Sequence, residues 1–179
     1  NNCIMDDCLS TKTGAGAGAA LRVQNSATLT VNNTTITNSY SSTQGGAIYL
    51  DATSTATLNN VSISGCSAAD KGGAISNNGT VTIINSSFTN NRVTGTGTDA
   101  RGGALWIGYN TTTTIEYSSF TNCQAYRGGA IGMYSYTASA GANNTAYVIN
   151  PSMIIGTTFN GNSATENGGA CYFDNQKGY

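Results

Sequence analysis

The sequence predicts an all-β chain wound as a parallel β-helix, with three strands to a coil, about 27 residues to a coil and six to seven coils. Three observations carry this. Gly-Gly-Ala recurs five times, as Gly45-Gly46-Ala47-Ile48, Gly72-Gly73-Ala74-Ile75, Gly102-Gly103-Ala104-Leu105, Gly128-Gly129-Ala130-Ile131 and Gly168-Gly169-Ala170-Cys171, after a degenerate Gly18-Ala19-Ala20-Leu21. From Gly18 onward the first glycines are 27, 27, 30, 26 and 40 residues apart, the spacing of a solenoid or similar array. Between them, short apolar alternations repeat in step, and no stretch sustains the i, i+3, i+4, i+7 pattern of a helix. One proline, Pro151, in 179 residues suits strands that need every backbone donor.

Each coil reads in the same order. The glycine pair marks a turn where φ > 0 or close backbone approach excludes a side chain. A first strand follows, with Ile48 and Leu50, Leu105 and Ile107, Ile131 and Met133, and Cys171 and Phe173 on one face. A second strand is signalled by Ala56-Thr57-Leu58, Val81-Thr82-Ile83, Thr114-Ile115 and Tyr147-Val148-Ile149. A third is one large apolar residue after two small ones, as in Thr34-Thr35-Ile36, Val61-Ser62-Ile63, Ser86-Ser87-Phe88, Ser118-Ser119-Phe120 and Thr157-Thr158-Phe159. Stacked coils would repeat at about 4.8 Å, so equivalent residues form columns. The long last interval predicts a loop insertion at about 134–150 within a single domain, 1–179.

Charged residues are only 8% of the chain, with seven Lys plus Arg against eight Asp plus Glu. That balance lacks the basic footprint of a nucleic-acid binder. No apolar run reaches the roughly 18 residues of a membrane span. The absence of His and of any Cys-x-x-Cys pair argues against zinc, and no cofactor is expected.

The Gly-Gly-Ala-(Ile/Leu) motif together with Phe-x-x-Asn, met in full at Phe88–Asn91 and Phe159–Asn162, resembles the repeat of chlamydial polymorphic outer membrane proteins. The copies starting at Met5, Ile36, Ile63 and Phe120 depart from it at one or both ends. The resemblance covers nearly the whole chain. It implies a surface-exposed right-handed β-helix that acts in adhesion, and it carries no catalytic residue.

Several columns are candidates for function. The last position of Phe-x-x-Asn reads Cys8, Ser39, Cys66, Asn91, Cys123, Asn162. Its cysteines sit on alternate coils, about 9.6 Å apart, too far for a disulfide, so buried thiols and an inward asparagine ladder are expected. Cys3 and Cys8 could close a small disulfide loop. Among seven Asn-x-Ser/Thr sequons, about what this composition yields by chance, Asn33, Asn60 and Asn85 form a column where neighbouring glycans would collide. They read as an asparagine ladder in a tight turn, whereas Asn78, Asn110 and Asn143 in a looser turn are the glycosylation candidates. Lys71, Arg101 and Arg127 precede Gly-Gly on three successive coils, a cationic column for an acidic glycan or, more simply, a ladder of surface ion pairs. Tyr49, Trp106 and Tyr172 point outward on every second coil of the first strand, as a sugar-stacking or lateral packing face.

A polysaccharide-cleaving enzyme would need acids in one column on neighbouring coils. Asp51 and Asp174 share a column four coils apart, and Asp6 and Asp7 would point to opposite sides. The expectation is therefore a non-enzymatic protein of the cell surface or extracellular space. The step from Gly168 to Tyr179 and on to Met5 of a second copy is 16 residues, against internal steps of 18, 18, 16 and 18. With open, uncapped ends, copies would then stack head-to-tail into a filament. The alternatives are a segment of a longer adhesin passenger that binds glycans and, last, the enzyme.

Overall fold

The computed structural model describes residues 2–11, 18–109, 111–137 and 152–177, with the backbone alone at 134–137 and 175–177. Every strand pair among these is parallel, and the strands form three sheets. In the sheet that follows the glycines, Leu21, Ile48, Ile75, Leu105, Ile131 and Cys171 lie directly opposite one another on successive coils. The repeat is thus a register of one coil per Gly-Gly-Ala. Its fifth strand, Ile131–Thr137, pairs with Cys171–Lys177 along its full length. Pairing therefore continues three residues past the expected start of the insertion, and 138–151 lie outside the described residues.

The second and third strand signals are two arms of one nine-stranded sheet. In Thr28–Thr37 and Thr55–Ser64 the arms are continuous ten-residue strands. They bend at Asn33 and Asn60, whose φ values are 49° and 56°. The third sheet comes after Phe-x-x-Asn, in strands as short as Tyr40–Ser41 and Ser67–Ala68. Sequence reading assigns that stretch to a turn. Its inward residues are small (Ser41, Ala68, Val93, Ala125), too few and too little apolar to show an alternation.

Three columns of left-handed residues make the corners. One is Asn33, Asn60, Asn85, Tyr117, Gly156; the second is Asp7, Asn38, Gly65, Asn90, Asn122, Gly161; the third is the first glycine of each pair, with φ between 61° and 69°. Asn, Asp and Gly are the residues that adopt this conformation at least cost. Tyr117 is the exception, and a Cβ at Gly156 would come within 2.6 Å of its ring. The second glycine serves a different need. A Cβ at Gly46, Gly73, Gly103 or Gly129 would lie 2.0–2.1 Å from the carbonyl oxygen of the same glycine one coil on. Neither glycine of the pair can carry a side chain, for two separate reasons.

The core is a stack of like on like. Ala47, Ala74, Ala104 and Ala130 are fully buried, as are Ile36, Ile63, Phe88 and Phe120. Phe88 and Phe120 stack at 4.7 Å with their planes 6° apart, and Phe120 and Phe159 at 5.2 Å and 9°. The three rings thus lie nearly parallel in one stack along the axis. Inward polar residues close the gaps between coils. Ser86 Oγ accepts from Val61 N–H and donates to the Ile84 carbonyl, and Ser118 Oγ accepts from Ser86 N–H. The two small residues ahead of each phenylalanine thus divide the work. The first turns in to bridge coils, and the second faces out.

Candidate functional site

The corner ahead of Gly-Gly aligns Gln44, Lys71, Arg101 and Arg127 as one parallel ladder. The adjoining first strand presents Tyr49, Ser76, Trp106, Gly132 and Tyr172 outward in register. Sequence reading treats these as two columns, yet their side chains interleave. Gln44 Oε1 accepts from the Ser76 hydroxyl at 3.1 Å, one coil on. The Lys71 ammonium lies 5.1 Å above the Trp106 ring, also one coil on. Arg101 and Arg127 both sit 5.4 Å from the Tyr172 ring, and Arg22 lies 5.6 Å from Tyr49. Each such contact contributes about 0.5–2 kcal/mol, more where water is excluded.

Burial decides what this edge can do. Trp106 is only 4% exposed, beneath Lys71, and its indole N–H meets no acceptor among the described residues. The aromatic column is therefore not the open stacking face that the sequence suggests, because cations cover it. Arg101 is buried as well. Its Nε donates to the Thr98 carbonyl at 2.8 Å, and Nη1 reaches Asp174 Oδ2 at 3.2 Å. Arg127 pairs with Glu166, and the guanidinium holds that carboxyl below its ordinary value. Two of the three column cations are thus bound to the protein's own carboxylates, and the third caps a ring. The edge is an inter-coil clamp, not a vacant anion site.

The acids are committed elsewhere too. Asp51 Oδ1 accepts from Ser54 Oγ, Thr53 N–H and Thr53 Oγ1, and its Oδ2 from Asn25 N–H on the preceding coil. These bonds, led by that from Ser54, draw its carboxyl down to about 2. Asp6 is likewise lowered, by bonds from Thr37 and Asn38. Among the described residues no three His, Cys, Asp or Glu side chains come together.

Asn60 Nδ2 donates to Asn33 Oδ1 at 2.8 Å, so these two sequons form a hydrogen-bonded ladder, and Asn85 continues their left-handed column. The glycosylation candidate Asn78 is half-buried, and its Nδ2, the atom a glycan would take, donates to the Leu50 carbonyl. That bond argues against a sugar at Asn78. Asn110 and Asn143 lie outside the described residues.

Cys3 and Cys8 form no disulfide in the structure. The chain turns at left-handed Asp7 between them, and their carbonyls accept from Thr35 and Tyr40 in two different sheets. Cys66 and Cys123 are fully buried thiols, pushed up to about 11 by burial. Asn91 and Asn162 alternate with them. Asn91 Oδ1 accepts from Cys66 N–H and its Nδ2 donates to the Ile63 carbonyl, and Asn162 does the same for Cys123 and Phe120.

One polar groove escapes sequence reading. Asn90, Arg92, Asn122, Gln124 and Gly161 line it along the second corner. Its four side chains are exposed and have no protein partner among the described residues. Residues from neighbouring coils are 25 or more apart in sequence, and no motif signals that they share a surface.

A family model described as "Right handed beta helix region" matches residues 1–178. No curated protein and no solved structure matches the chain.

Proposed function

Because the chain belongs to the right-handed β-helix family, we propose that it is a non-enzymatic structural solenoid of the cell surface or extracellular space. In this reading it extends coil upon coil, with copies stacking head-to-tail into a fibre. One observation carries it. At both faces of the described coils the three sheets end on strands with no further strand beyond them, and apolar residues stand open there. Met5, Leu21, Leu29 and Val31 line an apolar hollow at one face. Phe159, the last of the phenylalanine stack, and half-exposed Phe173 lie at the other. An unpaired parallel edge over an open core is a template for another coil.

The test is the purified chain at rising concentration. Filaments with an axial repeat of about 30 Å, six to seven coils at ~4.8 Å, are expected by electron microscopy. A chain that stays monomeric at every concentration would sink the stacking. A denaturing mass far above 18.3 kDa, after sugar removal, would make these coils part of a longer covalent β-helix.

The polar groove supports a second reading, an adhesin segment that holds glycans, in line with the resemblance to chlamydial surface repeats. Three amides and one guanidinium on adjacent coils suit vicinal hydroxyls and a carboxylate. Loss of binding to an acidic-glycan array in Arg92→Ala is the expected result. Equal binding would remove the groove from consideration.

A further inference from the structure

The near arm of the nine-stranded sheet carries threonine at the first two of its three outward positions on four successive coils; the third, next to the corner, holds Asn32, Asn59, Ile84 and Glu116. Strand pairing sets Thr28, Thr55, Thr80 and Thr112 in one rank and Thr30, Thr57, Thr82 and Thr114 in another. The ranks alternate with inward Leu29, Ala56, Val81 and Thr113. Sheet geometry makes this a rectangular net of about 4.8 Å between coils and about 6.6 Å, two residues, between ranks. The pairing register is unbroken across the four coils, and at the step from Thr82 to Thr114 the rings of Phe88 and Phe120, beneath the other arm, lie only 6° apart. All eight side chains reach solvent, and none of their hydroxyls has a protein partner among the described residues.

Strand propensity favours threonine in general, but it acts on every sheet. The outward residues of the glycine sheet are Arg22, Tyr49, Ser76, Trp106, Gly132 and Tyr172. Those of the short sheet are Leu9, Tyr40, Ser67, Arg92, Gln124 and Ser163. Neither column holds one threonine. The other arm of the same sheet mixes the two hydroxyl residues, as Thr35, Ser62, Ser87 and Ser119 and as Thr37, Ser64, Thr89 and Thr121, so only the near arm holds two unbroken ranks of threonine.

We propose that this face binds ice. Threonine presents a hydroxyl that both donates and accepts beside a methyl group, on a β-branched carbon with few rotamers. A flat net of such groups holds first-layer water at fixed sites, each hydroxyl bonding a water and each methyl seating in the water cage around it. Oxygen positions on a prism face of hexagonal ice also form a rectangle. Its short edge is close to the inter-strand spacing and its long edge close to two residues of a strand. Water ordered over the two ranks therefore continues into the crystal. The eight positions carry no charge, which would gather its own hydration shell. The net ends where Met153 takes the place opposite Thr114.

The face is complete in one copy, so its test is independent of stacking. Fluorescently labelled chain is offered to a slowly growing ice hemisphere, and the growth of a single ice crystal is followed below its melting point. The wild-type chain is expected to enter the ice and to hold the crystal at a fixed shape. Thr57→Lys and Thr82→Lys should each lose both effects, while Ser67→Lys and Tyr40→Lys on the short sheet keep them. Circular dichroism confirms that all four fold. Exclusion of the folded wild type from ice would overturn the proposal, as would equal adsorption by the threonine and control variants. O-linked sugars located by fragmentation at Thr28, Thr30, Thr55, Thr57, Thr80 or Thr82 of the natural protein would overturn it too, because they would cover the hydroxyls.

Discussion

Arg101 crosses the side-chain-free position of Gly132 to reach Asp174, 73 residues later in the chain and two coils away, at 3.2 Å. The guanidinium lies over Tyr172 on the way. The bridge therefore ties together the coils on either side of the 40-residue interval. A Cβ at Gly132 would stand 2.7 Å from Arg101 Cβ and 2.6 Å from Gly102 N. Gly132→Ala should destabilise the chain by about 1–3 kcal/mol through overpacking. Arg101→Met, which takes the guanidinium from a carboxylate whose side chain is 11% exposed, should cost about 3–5 kcal/mol. The double change Arg101→Met/Asp174→Leu should recover much of that loss. Denaturant midpoints measure all three.

The phenylalanine stack sets a gradient of cost along the axis. Phe120 is fully buried between two rings, and Phe120→Ala should cost about 3–5 kcal/mol. Phe159 meets one ring among the described residues and is partly open, so Phe159→Ala should cost clearly less in the unstacked chain. Thermal unfolding of the two variants at low concentration compares them.

Asn91 should prove less replaceable than its polarity suggests. Asn91→Ala leaves the Cys66 N–H buried without its acceptor and takes one donor from the Ile63 carbonyl, which keeps its ladder bond to the neighbouring coil. An N–H left so costs about 1–3 kcal/mol. Fast amide exchange confined to Cys66 and its coil, in an otherwise protected spectrum, is the expected signature.

Thiol chemistry should separate along the same column. Iodoacetamide should label exposed Cys3 in the native chain long before buried Cys66 and Cys123, which need unfolding. Peptide mass spectrometry reads the order. Burial raises the thiols of Cys66, Cys123 and Cys171 from 9.0 to about 11. Between those values the unfolded chain gives up protons that the folded one keeps. Stability should therefore hold below pH 9 and fall from there towards pH 11.

Asp51 acts at the other end of the pH scale. Its carboxyl drops from 3.8 to about 2 in the fold, so its contribution is present above 3.8 and is lost as pH falls through 2. Asp51→Asn should lower stability at neutral pH and flatten the acid limb of the stability curve. Urea titrations at pH 6 and pH 2, compared with the unmutated chain, test it.

The coil was legible because glycine has few substitutes. A left-handed corner and a carbonyl contact each forbid a side chain, so the Gly-Gly pair survives in five coils and can be counted. The asparagine corner was legible at Asn33, Asn60 and Asn85 but not at Tyr117, where a bulky residue holds the same conformation over Gly156. The short sheet was hidden because its inward residues are small. The clamp was hidden for another reason. Lys71 meets Trp106, and Arg101 meets Asp174, only through the rise of the coil, which places a corner of one turn against a strand of a later one. Columns read singly suggest exposed cations and exposed rings, whereas together they cover each other.

The close approach of each second glycine to the next has a consequence for how such a chain can change. The contact is the same at the four steps from Gly46 to Gly169, so the cross-section there is fixed while the height is not. Excising 45–71 would join Gln44 to Gly72, one corner to its own equivalent, and leave every column continuous. Losing a single residue from within a strand would instead turn the rest of that strand inside out, whereas the turns already absorb coils of 26, 27, 30 and 40 residues with every column kept. Length in this molecule is free at the turns and counted in whole coils elsewhere.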